Sequence, residues 1–330
     1  MWHCAWFRRS LTAFGMTVVA VSRMSTENKM QDMEKPNRRN LYILLVAVAL
    51  AWGLSWPLNK LGLDFIPPFW FAAFRLIFGT ISMFLLVIYL KKLIIPTKQD
   101  LPLIFLIGIF QIGSFILFIN LGLVAQSGGT AAILVYTTPL WVMPMAIFFF
   151  KEPSMFLKWL GFALGLIGVL FMLNPWEIDW RSGQILLSTF FLMSASLSCS
   201  ISILCAKYMT WHHSPLELIP WQLLVGCVML TIVALISQPH PTLQWNATSI
   251  ICLAYTAVIA TALGFLGMTK LSKELPATVT SIGFLGVPVS GVIFSVILLH
   301  ETLDLFKILA MLFIISGLIC VVWGGRKRRS

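Results

Sequence analysis

The sequence predicts an all-α membrane protein with ten transmembrane helices, because three properties agree. Of its 330 residues, 59% are hydrophobic and only 11% are charged, and the mean hydropathy is +0.91, whereas a soluble domain has roughly 25% charged residues. The apolar residues form long runs, and about 20 apolar residues in a helix span a hydrocarbon core of about 30 Å. These runs do not alternate apolar with polar residues, which argues against a transmembrane β-barrel.

Ten apolar runs follow one another along the chain. Proline and charged residues, which hydrocarbon disfavours, separate them, as at Pro67-Pro68, Lys91-Lys92 and Pro239-His240-Pro241. The predicted helices lie near 41–60, 69–90, 101–122, 127–150, 156–174, 183–206, 216–237, 247–268, 276–299 and 304–323.

Lysine and arginine are distributed unevenly between the two sides that ten crossings define. If the N-terminus is inside, 19 of the 23 basic residues fall inside; Lys60, Arg181 and Lys307 fall outside, and Arg75 lies within a helix. Short loops rich in lysine and arginine stay cytoplasmic, so both termini are predicted to be cytoplasmic. The basic residues that give the net charge of +11 are then expected to face the headgroups of the lipid bilayer. We therefore expect no nucleic-acid partner.

The first 40 residues precede the first apolar run and are predicted to be a disordered cytoplasmic segment. Arg8-Arg9 followed by residues 11–21 has the outline of a signal peptide. Cleavage would leave the basic residues between 29 and 39 to be translocated, against the positive-inside rule. An interfacial segment, or a start codon placed too early, is therefore the favoured interpretation.

An internal repeat relates the two halves of the chain at an offset of 149 residues. Four landmarks match without a gap: Ile133, Pro139, Glu152 and Gly168 correspond to Ile282, Pro288, Glu301 and Gly317. Five crossings return a chain to the opposite side of the membrane, so the repeats at 41–174 and 183–323 are predicted to be inverted, with a basic cytoplasmic tail at 324–330. Inverted halves that rock around a shared site are a common basis for alternating access.

Several motifs resemble the EamA type of the drug/metabolite transporter superfamily. They are Trp52-Gly53-x-Ser55-Trp56, Phe74-Arg75, and Thr138-Pro139-Leu140 with Glu152 and Gly161. The resemblance implies a ten-helix carrier of the bacterial inner membrane that exports amino acids, other metabolites or drugs. One departure is that Thr302 follows Glu301 where Pro153 follows Glu152, so the two turns need not be equivalent.

Arg75 is an ionisable residue inside an apolar run. A charge there costs about 2.5–3.5 kcal/mol on insertion scales. Two interpretations stay open: the guanidinium faces a central cavity and binds an anionic group such as a carboxylate, or it snorkels outward or caps helix carbonyls.

Other polar and aromatic residues are predicted to line the substrate pathway. Trp52, Ser55, Trp56 and Asn59 follow helical spacing and would form one stripe, for which cavity lining is favoured over packing or an interfacial aromatic belt. Further candidates, each of which could instead bond a neighbouring helix, are Gln111, Tyr136, Thr137, Tyr255, Ser281 and Phe284.

Two prolines and two acids are predicted to be structural or gating residues. Pro139 and Pro288 would kink their helices near the middle of the membrane. Glu152 and Glu301 lie at helix ends, where capping, pairing or gating are possible roles and a structural one is favoured. Gly161-x-x-x-Gly165, extended by Gly168, predicts a smooth helix-packing face.

Motifs of other functions are missing from the sequence. There is no G-x-x-x-x-G-K-[ST] motif for ATP-driven pumping, and the apolar runs contain no H-E-x-x-H, G-x-S-x-G or paired carboxylates, so we expect no enzyme. The six cysteines are scattered, so neither a metal nor another cofactor is expected. A small-molecule substrate is expected, whereas its identity, the coupling ion and the choice between monomer and homodimer stay open. A channel and a non-transporting scaffold remain the alternatives.

Overall fold

The computed structural model describes residues 38–151, 156–173, 183–275 and 277–324. Within these residues every regular element is helical. The helices are α1 (Arg38–Gly62), α2 (Pro68–Tyr89), α3 (Leu101–Gly122), α4 (Gly128–Phe150), α5 (Phe156–Leu173), α6 (Gly183–Tyr208), α7 (Pro215–Ser237), α8 (Ala247–Glu274), α9 (Ala277–Phe284 and Gly286–Leu299) and α10 (Leu305–Gly324).

Seven of these described helices are long and apolar enough to cross a membrane, and α5, α9 and α10 contain shorter apolar helices. The chain is therefore a helical protein that can cross a membrane several times. Helix ends agree with the predicted runs to within a few residues, except that α8 continues to Glu274. It does so because Leu271 is fully buried in a cluster with Leu45 and Val48 of α1.

The main chain departs from the α-helix at corresponding places in the two halves. α3 is π-helical at Ile107–Ser114, and α8 is π-helical at Tyr255–Leu263. α4 is interrupted at Tyr136 and Thr137, and α9 at Leu285. α4 and α9 also end on left-handed residues 149 positions apart, Lys151 (φ 51°) and His300 (φ 53°). The predicted repeat is thus visible in the backbone.

Pro139 and Pro288 do not kink continuous helices, which corrects the expectation from the sequence. Each lies in the first turn of a new helix, Thr138–Phe150 or Gly286–Leu299, directly after an interruption. Main-chain N–H groups in the first turn have no partner within the helix, so proline is tolerated there. The helix is therefore interrupted before each proline rather than bent at it.

The two halves interlock along the bundle. α2 packs against α7, α3 against α6 and α7, α4 against α9, and α5 against α10. α1 contacts the second half through Trp52, whose Nε1 donates to Ala260 O at 2.8 Å, and through Ala49 O, which lies 3.3 Å from Ser290 Oγ. Each helix of the first half thus touches the second half.

Glycines allow α5 and α10 to approach closely. A Cβ atom on Gly317 would lie 2.6 Å from Gly161 O and 2.8 Å from Gly165 N, and one on Gly168 would lie 2.9 Å from Ala310 O. Backbone atoms cannot move aside as the end of a flexible side chain can. The predicted packing face of α5 is therefore confirmed, and α10 packs against it.

Gly317→Ala is expected to lower the free energy of unfolding by about 1–3 kcal/mol, because the added methyl group would press on the main chain of α5. The melting temperature of the purified protein in detergent measures this. Gly183→Ala is the matched control, since a Cβ atom there meets no atom of the described chain within 4 Å. Equal melting temperatures for the two variants would contradict the proposed closeness of α5 and α10.

Candidate functional site

A cavity of about 350 Å³ lies between the two halves, with walls from eight helices. Eight of the eleven residues predicted to line the substrate pathway are among its lining residues: Trp52, Ser55, Trp56, Asn59, Arg75, Gln111, Tyr136 and Phe284. All four members of the predicted stripe on α1 therefore face one space. That a substrate binds there stays a prediction.

Two predicted pathway residues, Thr137 and Tyr255, are placed differently. Thr137 is buried beside the interruption in α4, where its hydroxyl donates to Leu134 O at 2.6 Å. The Tyr255 hydroxyl donates to Ala51 O at 3.1 Å and ties α8 to α1. Neither residue lines the cavity: the Thr137 hydroxyl bonds the main chain of its own helix, and the Tyr255 hydroxyl bonds the main chain of α1. The side chain of Ser281 lies outside the described part of the chain.

Several lining residues could not be singled out from the sequence. Cys199, Ile203, Phe265 and Met268 line the cavity, yet each lies in an apolar run among similar residues. Pro139, predicted to be structural or gating, also lines it.

Aromatic rings form much of the cavity wall. The Trp52 ring lies 5.2 Å from Phe284 and 6.3 Å from Phe265, and the Trp56 ring lies 6.4 Å from Tyr136. These centroid distances are typical of favourable ring pairs. The cavity therefore offers flat apolar surfaces to the body of a solute.

The π-helical segments supply main-chain acceptors beside the cavity. Phe110 O, in the segment of α3, accepts from Ser198 Oγ at 2.7 Å. In the segment of α8, Ala260 O accepts from the Trp52 indole, and Thr256 O accepts from Thr261 Oγ1 at 2.8 Å. A π-helical turn changes the hydrogen-bonding pattern of the helix, and here side chains bond to carbonyls of both segments.

Serines on α6 position groups at the cavity edge. Ser202 Oγ donates to Gln111 Oε1 at 2.7 Å, which leaves the N–H groups of that carboxamide for other partners. Ser200 Oγ lies 3.0 Å from Thr138 O, at the restart of α4. Ser196, fully buried, lies within 3.3 Å of the Thr138 hydroxyl. α6 therefore fixes both the Gln111 amide and the interruption in α4.

The Arg75 guanidinium lines the cavity and is held by uncharged groups. Its Nε donates to Thr261 Oγ1 at 3.1 Å, and its Nη1 donates to Asn59 Oδ1 at 3.3 Å. Among the described residues Nη2 has no hydrogen-bond partner. Both observed partners are side chains, not helix carbonyls, which agrees with the cavity-facing interpretation.

No carboxylate of the described chain balances this charge. The acidic residues with described side chains are Asp64, Asp100, Glu217, Glu274, Glu301 and Asp304. None of these six lines the cavity, and none lies within 4.0 Å of Arg75. The described walls of the cavity therefore hold one unbalanced positive charge.

Two charged side chains bond helix ends at one end of the bundle, and one of them, Glu301, joins the two halves. The Glu301 carboxylate accepts from Gly128 N at 2.7 Å and Gly129 N at 3.1 Å, at the start of α4. Lys60 Nζ donates to Leu123 O at 2.6 Å, just after α3. Each charge complements the dipole of the helix end that it touches. Glu301 thus caps a helix of the other half, while Glu152 lies outside the described residues.

A second polar cluster ties two loops together. Asp100 Oδ2 accepts from Thr97 N at 2.9 Å and from Thr97 Oγ1 at 2.6 Å, and it lies 2.8 Å from His213 Nδ1. Burial by itself would raise the pKa of Asp100, but the hydrogen bonds from Thr97 and the contact with His213 outweigh it and lower that pKa. Sequence reasoning missed the pair because 113 residues separate its members.

The fold and the cavity define a class of protein: a helical membrane protein with two similar halves around a central cavity. The model of the EamA-like transporter family matches residues 39–174 and 186–323, one match in each half. The chain therefore belongs to the EamA-like transporter family and is a multi-pass membrane transporter.

Curated relatives carry transporter names. The chain is 25% identical to the uncharacterized transporter YoaV of Bacillus subtilis, over 83% of this chain and 94% of that protein. It is 28% identical to a probable amino-acid metabolite efflux pump of Salmonella typhimurium, over 87% of this chain and 96% of that protein. A solved crystal structure aligns with a TM-score of 0.60 at 15% identity, over 89% of this chain and all of that one, which shows the fold alone.

Asp100→Asn is expected to lower the melting temperature at neutral pH, and this difference should shrink as the pH falls. The pKa of Asp100 is lower in the folded state than in the unfolded state. The ionised group therefore stabilises the fold fully above the unfolded value of about 3.9, and the stabilisation is lost as the pH falls through the folded value.

Melting temperatures measured between pH 7 and pH 3 test this, with Glu274→Gln as the control because Glu274 is exposed. A difference that is the same at every pH would contradict an ionic role for Asp100.

Proposed function

We propose that the protein is a secondary carrier of the bacterial inner membrane that exports small metabolites with an anionic or zwitterionic group. The observation that carries this proposal is the unbalanced charge of Arg75 in the cavity between the halves. In this proposal the protein crosses the membrane ten times as two inverted five-helix repeats, with both termini in the cytoplasm. It acts without an enzymatic step.

The charge of Arg75 favours solutes with a carboxylate. A guanidinium in a site of low dielectric attracts an anion more strongly than it would in water, and its free N–H groups suit the two oxygens of a carboxylate. Gln111, whose amide oxygen already accepts from Ser202, leaves its N–H groups as further donors at the same cavity.

The aromatic walls favour a solute with an apolar body. Trp52, Trp56, Tyr136 and Phe284 offer ring faces, and binding sites of this kind pair apolar walls with a few placed polar groups. The name of the Salmonella typhimurium relative, a probable amino-acid metabolite efflux pump, is consistent with such a solute. Amino acids and related carboxylates are therefore the proposed substrate class.

Alternating access requires an end of the bundle that closes and opens. In the proposed orientation the contacts of Glu301 and Lys60 lie at the outer end. Glu301 joins α9 to the start of α4, and so links the second half to the first. We propose that the contacts of Glu301 with α4 close the cavity towards the outside and that they separate when the solute is released.

Arg75→Ala is expected to reduce export of anionic and zwitterionic metabolites strongly. Loss of a charged hydrogen bond of about 1.5–3 kcal/mol should lower apparent affinity at least about tenfold. Metabolites are measured inside and outside bacterial cells that express the protein, the variant at equal abundance, or an empty vector.

Selective external accumulation that disappears in Arg75→Ala supports the proposal. External pools that match the empty vector at confirmed expression would exclude metabolite export under these conditions. Export that persists in Arg75→Ala would show that Arg75 does not bind the solute.

Glu301→Gln is expected to expose the cavity to the outside, because a neutral amide bonds the two N–H groups of α4 less strongly. Cys199 lines the cavity, so its modification by a membrane-impermeant thiol reagent, added to intact cells, reports outward opening. The modification rate, followed at Cys199 by peptide mass spectrometry, should rise several-fold.

Asp304→Asn is the control, since Asp304 contacts Lys307 and lies just after Glu301 in the same turn. An unchanged rate in Glu301→Gln would show that these contacts do not hold the outer end closed.

A further inference from the structure

Asn59 is a buried side chain on α1 whose carboxamide contacts the Arg75 guanidinium. It is 2% exposed, and its Oδ1 accepts from Nη1 at 3.3 Å. Thr261, which belongs to the other half, holds Nε at 3.1 Å. Two uncharged groups, one from each half, therefore fix the orientation of the guanidinium.

The identity of residue 59 determines whether the charge of Arg75 is balanced. Buried arginines are generally paired with acids, because desolvation of a lone charge is unfavourable. Aspartate has nearly the same shape as asparagine, so position 59 could hold a carboxylate at hydrogen-bonding distance without a change in volume. The carboxamide instead accepts one N–H, and no carboxylate among the described residues balances the positive charge.

We propose that Asn59 determines the charge selectivity of the cavity. Its neutral oxygen positions Arg75, while its lack of charge keeps the cavity electropositive and open to a solute with one carboxylate or similar anionic group. With an acid at this position, Arg75 would be bound internally, and the cavity would no longer prefer anions.

This role of Asn59 rests on the proposed function, because charge selectivity matters only if a solute enters the cavity. The local charge can nevertheless be measured without knowledge of the solute. Cys199 lines the same cavity as Arg75 and Asn59, so its reactivity towards charged reagents reports the electrostatic potential there.

The experiment compares two methanethiosulfonate reagents on the purified full-length protein in detergent. One reagent bears an anionic sulfonate and the other a cationic trimethylammonium group, and the rate at Cys199 is followed by peptide mass spectrometry. The ratio of the anionic to the cationic rate should fall at least about tenfold in Asn59→Asp, because two opposite charges in contact cancel most of the potential. Arg75→Gln should lower the ratio in the same direction.

A stability measurement separates this effect from misfolding. Asn59→Asp should keep or raise the melting temperature, because the new carboxylate would contact a guanidinium. The matched control is Asn120→Asp: Asn120 is fully buried, and neither of its amide atoms has a hydrogen-bond partner among the residues that the structure describes. A carboxylate there would lack a partner and should lower the melting temperature.

The outcomes distinguish failure of this role from failure of the proposed function. An unchanged ratio in folded Asn59→Asp, together with a lowered ratio in Arg75→Gln, would overturn the role of Asn59 and leave the exporter intact. An unchanged ratio in both variants would overturn the electropositive cavity itself. A ratio that falls as expected, without metabolite export by the wild type, would support Asn59 and contradict the exporter.

Discussion

Hydrocarbon offers no hydrogen-bond partner to main-chain N–H and C=O groups, and the rest of this structure depends on that constraint. α-Helices satisfy these groups internally, and the described apolar segments are helical. The irregular main chain of α3, α4, α8 and α9 lies next to the cavity, and side chains such as Trp52, Ser198 and Ser200 bond to carbonyls there. Irregular backbone thus gives an apolar bundle a polar centre without leaving these carbonyls unpaired.

The same constraint governs the charged groups. Glu301 and Asp100 lie at helix ends, where N–H donors or a histidine surround each carboxylate. Arg75 is different, because its observed partners are the neutral side chains of Asn59 and Thr261. Burial of an ion without a counter-ion is energetically unfavourable, and ionisable residues inside membranes generally have a function. Binding of a solute that supplies the missing negative charge would be the function of Arg75, and this is the physical basis of the proposed carrier.

The halves repeat the backbone but not the chemistry. Both have a π-helical segment, an interruption and a left-handed helix end at corresponding places. α7, which takes the place of α2 in the second half, has neither lysine nor arginine, so Arg75 has no counterpart there. Duplicated geometry can provide the two-sided closure that alternating access needs. Side chains specific to one half provide the selectivity of the cavity.

The sequence by itself determined the positions of the helices, because hydropathy is a local property and hydrocarbon selects long apolar runs. It also determined that Trp52, Ser55, Trp56 and Asn59 share a face, because helical spacing is local too. Tertiary structure decided the remaining points. Pro139 and Pro288 lie in the first turns of new helices and not at kinks. Tyr255 bonds the main chain of α1, and Asp100 contacts His213. Tertiary structure also gave Arg75 neutral partners from α1 and α8, since contacts between distant segments depend on how helices pack, which no local pattern encodes.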